Sequence, residues 1–249
     1  CKFIGCKYCH MMTNGTVSLS IALLALNIQK NDKVICPNLT MIGTPNSIKL
    51  IGAEPILVDV DEKTLCLDIN KIEDVLKSNK SVKCIIHVSL NGRCNDIVKL
   101  LDLCKKYNIY LLEDSAQSLG SYYKGKHIGT YGDIGSFSFA SPKIITTGQG
   151  GALITNNEDL SKKIYELKNF GRYEGGIDTH HCFGINNKFT DIQAVIGIEQ
   201  MKKLPSRIIR MKEMWNIYYE KLSSNKNIFM YEKYNNWLPM FIDIYVKEP

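Results

Sequence analysis

The sequence has no apolar run that approaches the ~18 residues needed for a membrane-spanning helix. Its start shows no pattern of a secretory signal peptide. The 31 Lys and Arg residues exceed the 25 Asp and Glu residues, for a formal net charge of +6, but they are scattered and form no basic cluster. These absences argue against a membrane protein and against a nucleic-acid-binding protein, while the mild positive charge favours solubility and attraction to anionic ligands.

Disulfide and metal frameworks are also missing. The nine cysteines are an odd count without framework spacing, and most lie in apolar segments, which is typical of reduced thiols in a cytosolic protein. The segment CKYCH (6–10) fits the C-x-x-C-H pattern of haem attachment, but no second ligand pair follows at zinc-finger spacing. We interpret it as a strand entering a turn, and we predict no metal site there or at the adjacent HHC (180–182).

What the chain does contain is a regular alternation of short apolar runs and amphipathic segments. The predicted strands are KVICP (33–37), PILVDV (55–60), VKCIIHVSL (82–90) and IYLLED (109–114), and the predicted helices between them are TPNSIKLIG (44–52), INKIEDVLKSN (69–79) and DIVKLLDLCKKYN (96–108). This alternation predicts an α/β fold with a mostly parallel central sheet flanked by helices. Ligands of such sheets bind beyond the carboxyl ends of the strands.

The most informative stretch is DIGSFSFASPKIITTGQGG (133–151). An apolar strand, GSFSF, carries Ser138 and runs into a turn with Lys143 five residues later, and a Gly-rich segment follows. A strand that delivers a hydroxyl and then an amine into a Gly-rich pocket is suited to hold a phosphate beside a nucleophilic amine. A pyridoxal phosphate (PLP) enzyme needs both, because its lysine forms a Schiff base with the cofactor and its fold anchors the phosphate. The alternative interpretation is a solvated loop lysine.

A second phosphate contact is predicted at the turn Thr13-Asn-Gly15-Thr16, which precedes the apolar helix VSLSIALLALNI. A Thr at the start of this helix can act as its N-cap. A Gly-Thr turn at a helix start offers free N–H groups and the positive end of the helix dipole to an anion. The alternative is a turn with no ligand.

The segment SFSFASPKIITTGQGGALIT resembles the lysine segment of the DegT/DnrJ/EryC1/StrS family, the PLP-dependent sugar-nucleotide aminotransferases. The resemblance continues in the family's order and spacing from about Asn14 to Gln200. It implies PLP-dependent transferase fold type I, with Lys143 as the catalytic residue. It also implies that the cofactor phosphate contacts Gly15, Thr16, the amide of Val17 and Ser138.

Two further segments match the family. In EDSAQSLGSYYKGKHIG (113–129), the resemblance assigns Asp114 to the pyridinium nitrogen of PLP and Gln117 to the ring face near its phenolic oxygen, with Glu113 structural. Without the resemblance, an acid at this place can simply be a helix N-cap. GINNKFTDIQAVIGIEQ is similar to the family segment G-x-N-x-[RK]-x-T-x-x-Q-A, whose Asn reaches the cofactor phosphate of the neighbouring subunit. Carried over to Asn186, this role implies a homodimer.

The resemblance implies a cytoplasmic aminotransferase that moves an amino group from glutamate to a ketosugar nucleotide of the 4-keto-6-deoxyhexose type, for amino-sugar and surface-glycan biosynthesis. Two departures bear on the substrate: Met41 replaces a frequent aromatic residue, and Ser89-Leu-Asn91-Gly92 replaces an H-x-Y-G-like pattern. The alternatives are a PLP-dependent dehydratase, an aminotransferase for a cyclitol or another keto-sugar, and a non-catalytic truncated relative. Family dehydratases have histidine in place of the lysine, so Lys143 favours transamination.

Both ends of the chain suggest a fragment of a longer protein. No initiator Met and no segment before the family's first strand are present, and NNWLPMFIDIYVKEP (235–249) reads as the first strand of a further domain. We expect a PLP-binding large domain at 1–205 and the truncated start of a small α+β C-terminal domain at 206–249. The boundary is predicted near Lys203 to Arg210, inside or just after the helix that ends EQMKKLP.

Overall fold

A computed structural model describes residues 1–176, 178–231 and 236–246. The strands are β1 (Tyr8–Met12), β2 (Lys33–Pro37), β3 (Glu54–Val58), β4 (Val82–Val88), β5 (Tyr110–Asp114), β6 (Tyr122–Tyr123), β7 (Lys126–His127), β8 (Ile134–Ser138), β9 (Gly151–Thr155), β10 (Ile228–Phe229) and β11 (Tyr245–Val246). The helices are α1 (Gly15–Ala25), α2 (Gly43–Leu50), α3 (Ile69–Ser78), α4 (Ile97–Tyr107), α5 (Glu158–Lys168) and α6 (Asp191–Leu222), and one 3₁₀ turn spans Leu90–Gly92.

Seven strands form one sheet in the order β1-β9-β8-β5-β4-β2-β3. The neighbours from β3 to β8 pair in parallel, whereas β9 is antiparallel to both β8 and β1. The predicted α/β fold with a mostly parallel sheet is therefore confirmed. Two short antiparallel strand pairs, β6 with β7 and β10 with β11, lie outside this sheet.

Successive residues of a strand point to opposite faces of the sheet, and helices cover both faces. On β2, Val34 and Cys36 belong to one core cluster together with the apolar residues of α1, whereas Ile35 belongs to a second cluster with residues of α3 and α4. Helix α1 is apolar on nearly all sides, and most of its residues are buried. Such a helix can only be stable when other elements enclose it.

The N-terminus of α1 differs from the sequence prediction. Asn14, not a threonine, is the N-cap: its backbone is extended (φ −164°), and its Oδ1 accepts a hydrogen bond from the Val17 N–H at 2.9 Å. The helix begins at Gly15, so only the residue immediately before it has the backbone geometry of a cap.

Helix α6 also differs, because it continues through Pro205 to Leu222 instead of ending near residue 205. Proline removes one backbone hydrogen bond, but buried Leu204 and Trp215 anchor the helix on either side of it. The expected end of the helix is therefore wrong. The division into residues 1–205 and 206–249 stays a prediction.

The final segment is not one strand over its described part. Within 236–246 only β11 pairs with another strand. The backbone N–H groups of Leu238 and Met240 before it donate instead to side chains in the loops after β5 and β4. Residues 235 and 247–249 of this predicted strand lie outside the described residues. None of the helices in the described part of the chain is both long and apolar enough to cross a membrane.

Candidate active site

A cavity of about 430 Å³ lies at the carboxyl ends of the central strands. Val88, Asp114 and Ser138 end β4, β5 and β8 and contribute to its wall. The first residues of α1 and α2 close the cavity from the side. The site is thus where a parallel sheet places its ligands, since strand ends and helix N-termini converge there.

Six of the eight residues predicted from the sequence line this cavity. They are Gly15, Thr16, Asp114, Gln117, Ser138 and Lys143. They come from three separate segments of the chain, which only the folded sheet brings together. The cavity is therefore the candidate active site.

Gly15 and Ser138 both line the cavity and lie in close contact with each other. A Cβ atom on residue 15 would come within 2.9 Å of the Ser138 Cβ, a distance that real Cβ atoms essentially never show. Glycine at position 15 therefore lets the N-terminus of α1 approach the end of β8. The result is a hydroxyl beside the positive end of a helix dipole, which is an arrangement suited to a phosphate.

Asp114 is a buried carboxylate with two hydrogen-bond donors. Its Oδ2 accepts from Thr44 Oγ1 at 2.8 Å, and its Oδ1 accepts from the Ala116 N–H at 3.2 Å. Burial raises the pKa of the carboxyl, whereas these two hydrogen bonds and the nearby Lys143 ammonium lower it. The carboxylate is thus oriented from two sides, and burial makes it a strong partner for a cation.

Lys143 is half-buried in the turn after β8 and lines the same cavity. Burial lowers the pKa of its ammonium group, and the negative charge of Asp114 opposes this effect. A lysine whose pKa is lowered by burial has more of the neutral amine that acts as a nucleophile and as a base.

Glu113 points to the other side of β5 and has a different role. Its carboxylate accepts backbone hydrogen bonds from Gly129, Tyr131 and Gly132 at 2.6–2.7 Å, and its side chain is completely buried. It holds the loop between β7 and β8. This geometry agrees with the structural role predicted for Glu113.

Thr44 is a site residue that sequence reasoning missed. It lies on the first turn of α2, it lines the cavity, and it also contacts Thr40 (Oγ1–Oγ1 3.0 Å). The signal that could have found it is a Gly-Thr pair at a helix start, the same pattern that drew attention to Gly15 and Thr16.

Val17 and Asn186 do not line the cavity. The Val17 N–H donates to the Asn14 cap, so it is already used within the helix terminus. Asn186 is exposed and forms an isolated β-bridge with Asn169. Their predicted contacts with a phosphate therefore stay predictions.

The region with the C-x-x-C-H pattern forms β1 and the turn before it, and Cys6 and Cys9 are free thiols. Within residues 1–176, 178–231 and 236–246, no three His, Cys, Asp or Glu side chains are grouped so that they could hold a metal ion.

Known proteins resemble this chain over nearly its full length. The chain is 39% identical over 218 residues to GDP-perosamine synthase of Escherichia coli O157:H7, a match that covers 88% of this chain and 59% of the relative. It is 38% identical over 205 residues to the putative L-glutamine:3-amino-2,3-dideoxy-scyllo-inosose aminotransferase of Streptoalloteichus tenebrarius, covering 82% of this chain and 49% of that protein. The chain thus spans between about half and three fifths of the length of these relatives.

A solved structure shows the same fold. The crystal structure of ntda from Bacillus subtilis with bound cofactor PMP superposes with a TM-score of 0.91 at 28% identity, covering 98% of this chain and 56% of that one. The sequence model of the DegT/DnrJ/EryC1/StrS aminotransferase family matches residues 1–245. This match, together with the fold and the residues gathered at the cavity, shows that the chain belongs to the DegT/DnrJ/EryC1/StrS aminotransferase family.

Proposed function

We propose that this chain forms the cofactor-binding part of a PLP-dependent aminotransferase. The observation that carries the proposal is that Lys143, the buried Asp114 and the Gly15-Thr16 helix terminus line one cavity. An amine, a carboxylate and a phosphate-binding turn are the three groups that PLP requires of a protein. The related protein ntda, which was solved with bound cofactor PMP, supports the same assignment.

The residues present fit the cofactor. The buried Asp114 carboxylate, held by Thr44 and Ala116, is suited to a protonated ring nitrogen, because a buried negative charge favours a positive partner. In the same cavity, the close approach of the α1 N-terminus to Ser138 is possible only because residue 15 lacks a Cβ atom. PLP, when bound, supplies an electron sink that lets a proton leave the carbon bearing the amino group.

Each residue then has a defined task. Asp114 would hold the ring nitrogen and favour its protonated form. Gly15, Thr16 and Ser138 would hold the phosphate, and Gln117 would hold the ring. The Lys143 amine would hold the cofactor covalently, and the free amine would serve as the general base and its ammonium form as the general acid. Burial lowers the pKa of the Lys143 ammonium, which increases the share of neutral amine available as a base.

For the acceptor substrate we propose a ketosugar nucleotide of the 4-keto-6-deoxyhexose type, with glutamate as the amino donor. The relative named GDP-perosamine synthase supports this substrate class. A cyclitol or another keto-sugar is the second candidate, because a putative cyclitol-derivative aminotransferase is 38% identical to the chain. Met41, which lines the cavity and is exposed, is one place where the two substrate classes can be distinguished. The nine free cysteines support a reducing compartment such as the cytoplasm.

We further propose that the active unit is a homodimer with shared sites. Large apolar side chains on the first turns of α6 are exposed, among them Ile192 (77%), Val195 (63%) and Ile198 (59%). A second copy of the chain is the partner that would cover them. Asn186 is exposed just before this helix and does not line its own cavity, which supports a contact with the neighbour's phosphate.

The deciding experiment is an absorbance spectrum of the protein with PLP, followed by borohydride reduction and peptide mapping. The expected result is a visible absorbance band and a reduced label on Lys143. Lys80→Ala, a change of an exposed lysine, serves as the matched control and should label normally. A protein without a band and without a label would contradict the cofactor assignment and favour a non-catalytic relative.

A further inference from the structure

Residues 236–243, named here the strap, lie across the turn that follows β4. The side chain of Asn91 in this turn forms three hydrogen bonds with the strap. Its Oδ1 accepts from the Met240 and Phe241 N–H groups at 2.7 Å each, and its Nδ2 donates to the Phe241 carbonyl at 3.0 Å. Its own carbonyl accepts from Trp237 Nε1 at 2.6 Å. One asparagine therefore satisfies four polar groups of the strap.

The next two residues of the turn strengthen this contact. The buried Arg93 forms an ion pair with Asp243 at 2.7 Å, and its guanidinium lies over the Trp237 ring at 5.1 Å. At position 92, an added Cβ atom would lie only 2.2 Å from the Leu238 carbonyl oxygen, so only glycine permits this approach. The turn and the strap thus fit each other closely.

Asn91 also contacts the candidate active site. Its backbone N–H donates to Gln117 Oε1 at 2.7 Å, and Gln117 lines the cavity. This N–H is directed at Gln117 because Asn91 has a left-handed backbone (φ 51°, ψ 35°). Asparagine tolerates this conformation better than most residues. A small pocket that adjoins the cavity is lined by Gln117 on one side and by Leu238 and Met240 of the strap on the other.

The hydrogen bond from Asn91 decides the orientation of the Gln117 amide. With Oε1 accepting from the backbone, the Nε2 group is the part of the amide left to donate to a ligand in the cavity. If the amide were turned round, its N–H₂ would meet the Asn91 N–H, and two donors would face each other.

We propose that Asn91 is a positioning residue that fixes the Gln117 amide and the strap in one arrangement, so that the strap and the cavity wall move together. The part of this inference that concerns the cofactor rests on the proposed function. Asn91 lies in the segment Ser89-Leu-Asn91-Gly92, which replaces the H-x-Y-G-like pattern of the family. In this chain the asparagine at position 91 connects the strap to Gln117.

The first test is amide hydrogen exchange, followed residue by residue by NMR in the protein without added PLP. Asn91→Gly retains the backbone N–H and the left-handed conformation but removes the three side-chain bonds. We expect the Met240 and Phe241 amides to exchange at least about fivefold faster, on the basis of about 1 kcal/mol for one lost bond. The matched control is Asn108→Gly, an exposed left-handed asparagine at the end of α4, which should leave both amides unchanged.

The reciprocal variant tests the coupling itself. Gln117→Ala removes the acceptor of the Asn91 N–H, and we expect faster exchange at Asn91, Met240 and Phe241. In the Asn91→Gly background the same change should add little at Met240 and Phe241, because coupled residues are not additive. Unchanged exchange at the strap in Gln117→Ala, or full additivity in the double variant, would overturn the proposal.

The second readout is the pH midpoint of the visible absorbance of the PLP-loaded protein. Asn91→Gly loses the side-chain bonds that hold the turn against the strap, so its retained N–H should hold Gln117 less firmly. It should therefore shift this midpoint in the same direction as Gln117→Ala but by less, and the double variant should match Gln117→Ala alone. A merely structural role of Asn91 would leave the midpoint unchanged and would contradict the proposal. If the wild-type protein binds no PLP, the proposed function fails, whereas the exchange experiment still decides whether Asn91 couples Gln117 to the strap.

Discussion

Thr44 Oγ1 donates a hydrogen bond of 2.8 Å to Oδ2 of the buried Asp114. This bond joins the first turn of α2 to the carboxyl end of β5, two elements far apart in the sequence. It orients the carboxylate and opposes the rise in its pKa that burial causes. The bond therefore helps to keep Asp114 ionised for the role proposed above.

Thr44→Val should weaken PLP binding. Valine has nearly the same shape but lacks the hydroxyl, so the buried carboxylate loses a donor and its pKa rises further. A hydrogen bond to a charged group contributes about 1.5–3 kcal/mol, which corresponds to a loss of affinity of roughly 10- to 100-fold. Titration with PLP, followed by absorbance, measures the change. Thr44→Ser keeps the hydroxyl and should bind PLP nearly as the wild type does. A PLP affinity of Thr44→Val equal to that of the wild type would exclude this role of Thr44.

Lys143→Ala should abolish the label after borohydride reduction and reduce the rate of transamination. The loss of a general acid–base group costs about 10²- to 10⁴-fold, and loss of the covalent attachment adds to it. Lys143→Arg retains a positive charge but provides no neutral amine, so it should be equally inactive. Single-turnover kinetics with glutamate measure the effect. A rate close to that of the wild type in either variant would remove Lys143 from the reaction.

A mixture of two inactive variants should test whether the active sites are shared. If Asn186 of one subunit serves the Lys143 of the other, Lys143→Ala and Asn186→Ala subunits form heterodimers with one intact site. Random association should then restore about a quarter of the wild-type activity. Activity after mixing and reassociation is the measurement. If both residues act within one chain, mixing restores nothing.

Acid should destabilise the protein through His87, which is fully buried with Nε2 at 3.0 Å from Asn95 Oδ1. Burial lowers its pKa from 6.5 to about 4. Between these two values the unfolded chain binds a proton that the folded chain does not, so stability falls as the pH falls. At pH 5 this effect amounts to roughly 2 kcal/mol relative to pH 7.

Urea unfolding at pH 7 and pH 5 measures this effect. Glutamine does not titrate, so the drop in unfolding free energy from pH 7 to pH 5 should be smaller in His87→Gln than in the wild type, by roughly 2 kcal/mol. The control is His180→Gln, because His180 is exposed and its pKa is raised by its hydrogen bond to the Phe170 carbonyl. An unchanged pH dependence in His87→Gln would show that His87 does not titrate as described.

The sequence predicted most of the fold because its signals are local. The alternating apolar runs and amphipathic segments gave β2 to β5 and α2 to α4 to within a few residues. Where a local signal was ambiguous, the prediction was wrong. Pro205 indicated the end of a helix, but tertiary contacts of Leu204 and Trp215 carry α6 past it. Similarly, the apolar segment after residue 235 indicated a strand, but its polar groups bind Asn91 and Ser121.

The sequence by itself predicted the α/β class from residue types at regular spacing along the chain. Its resemblance to a known family supplied the family and the six predicted residues that line the cavity. Only the tertiary structure decided which groups support those residues. Thr44 beside Asp114 and Asn91 beside Gln117 are contacts between residues 70 and 26 positions apart, and no periodicity encodes them. They exist because parallel strands end at one edge of the sheet, where side chains and loops from distant segments converge.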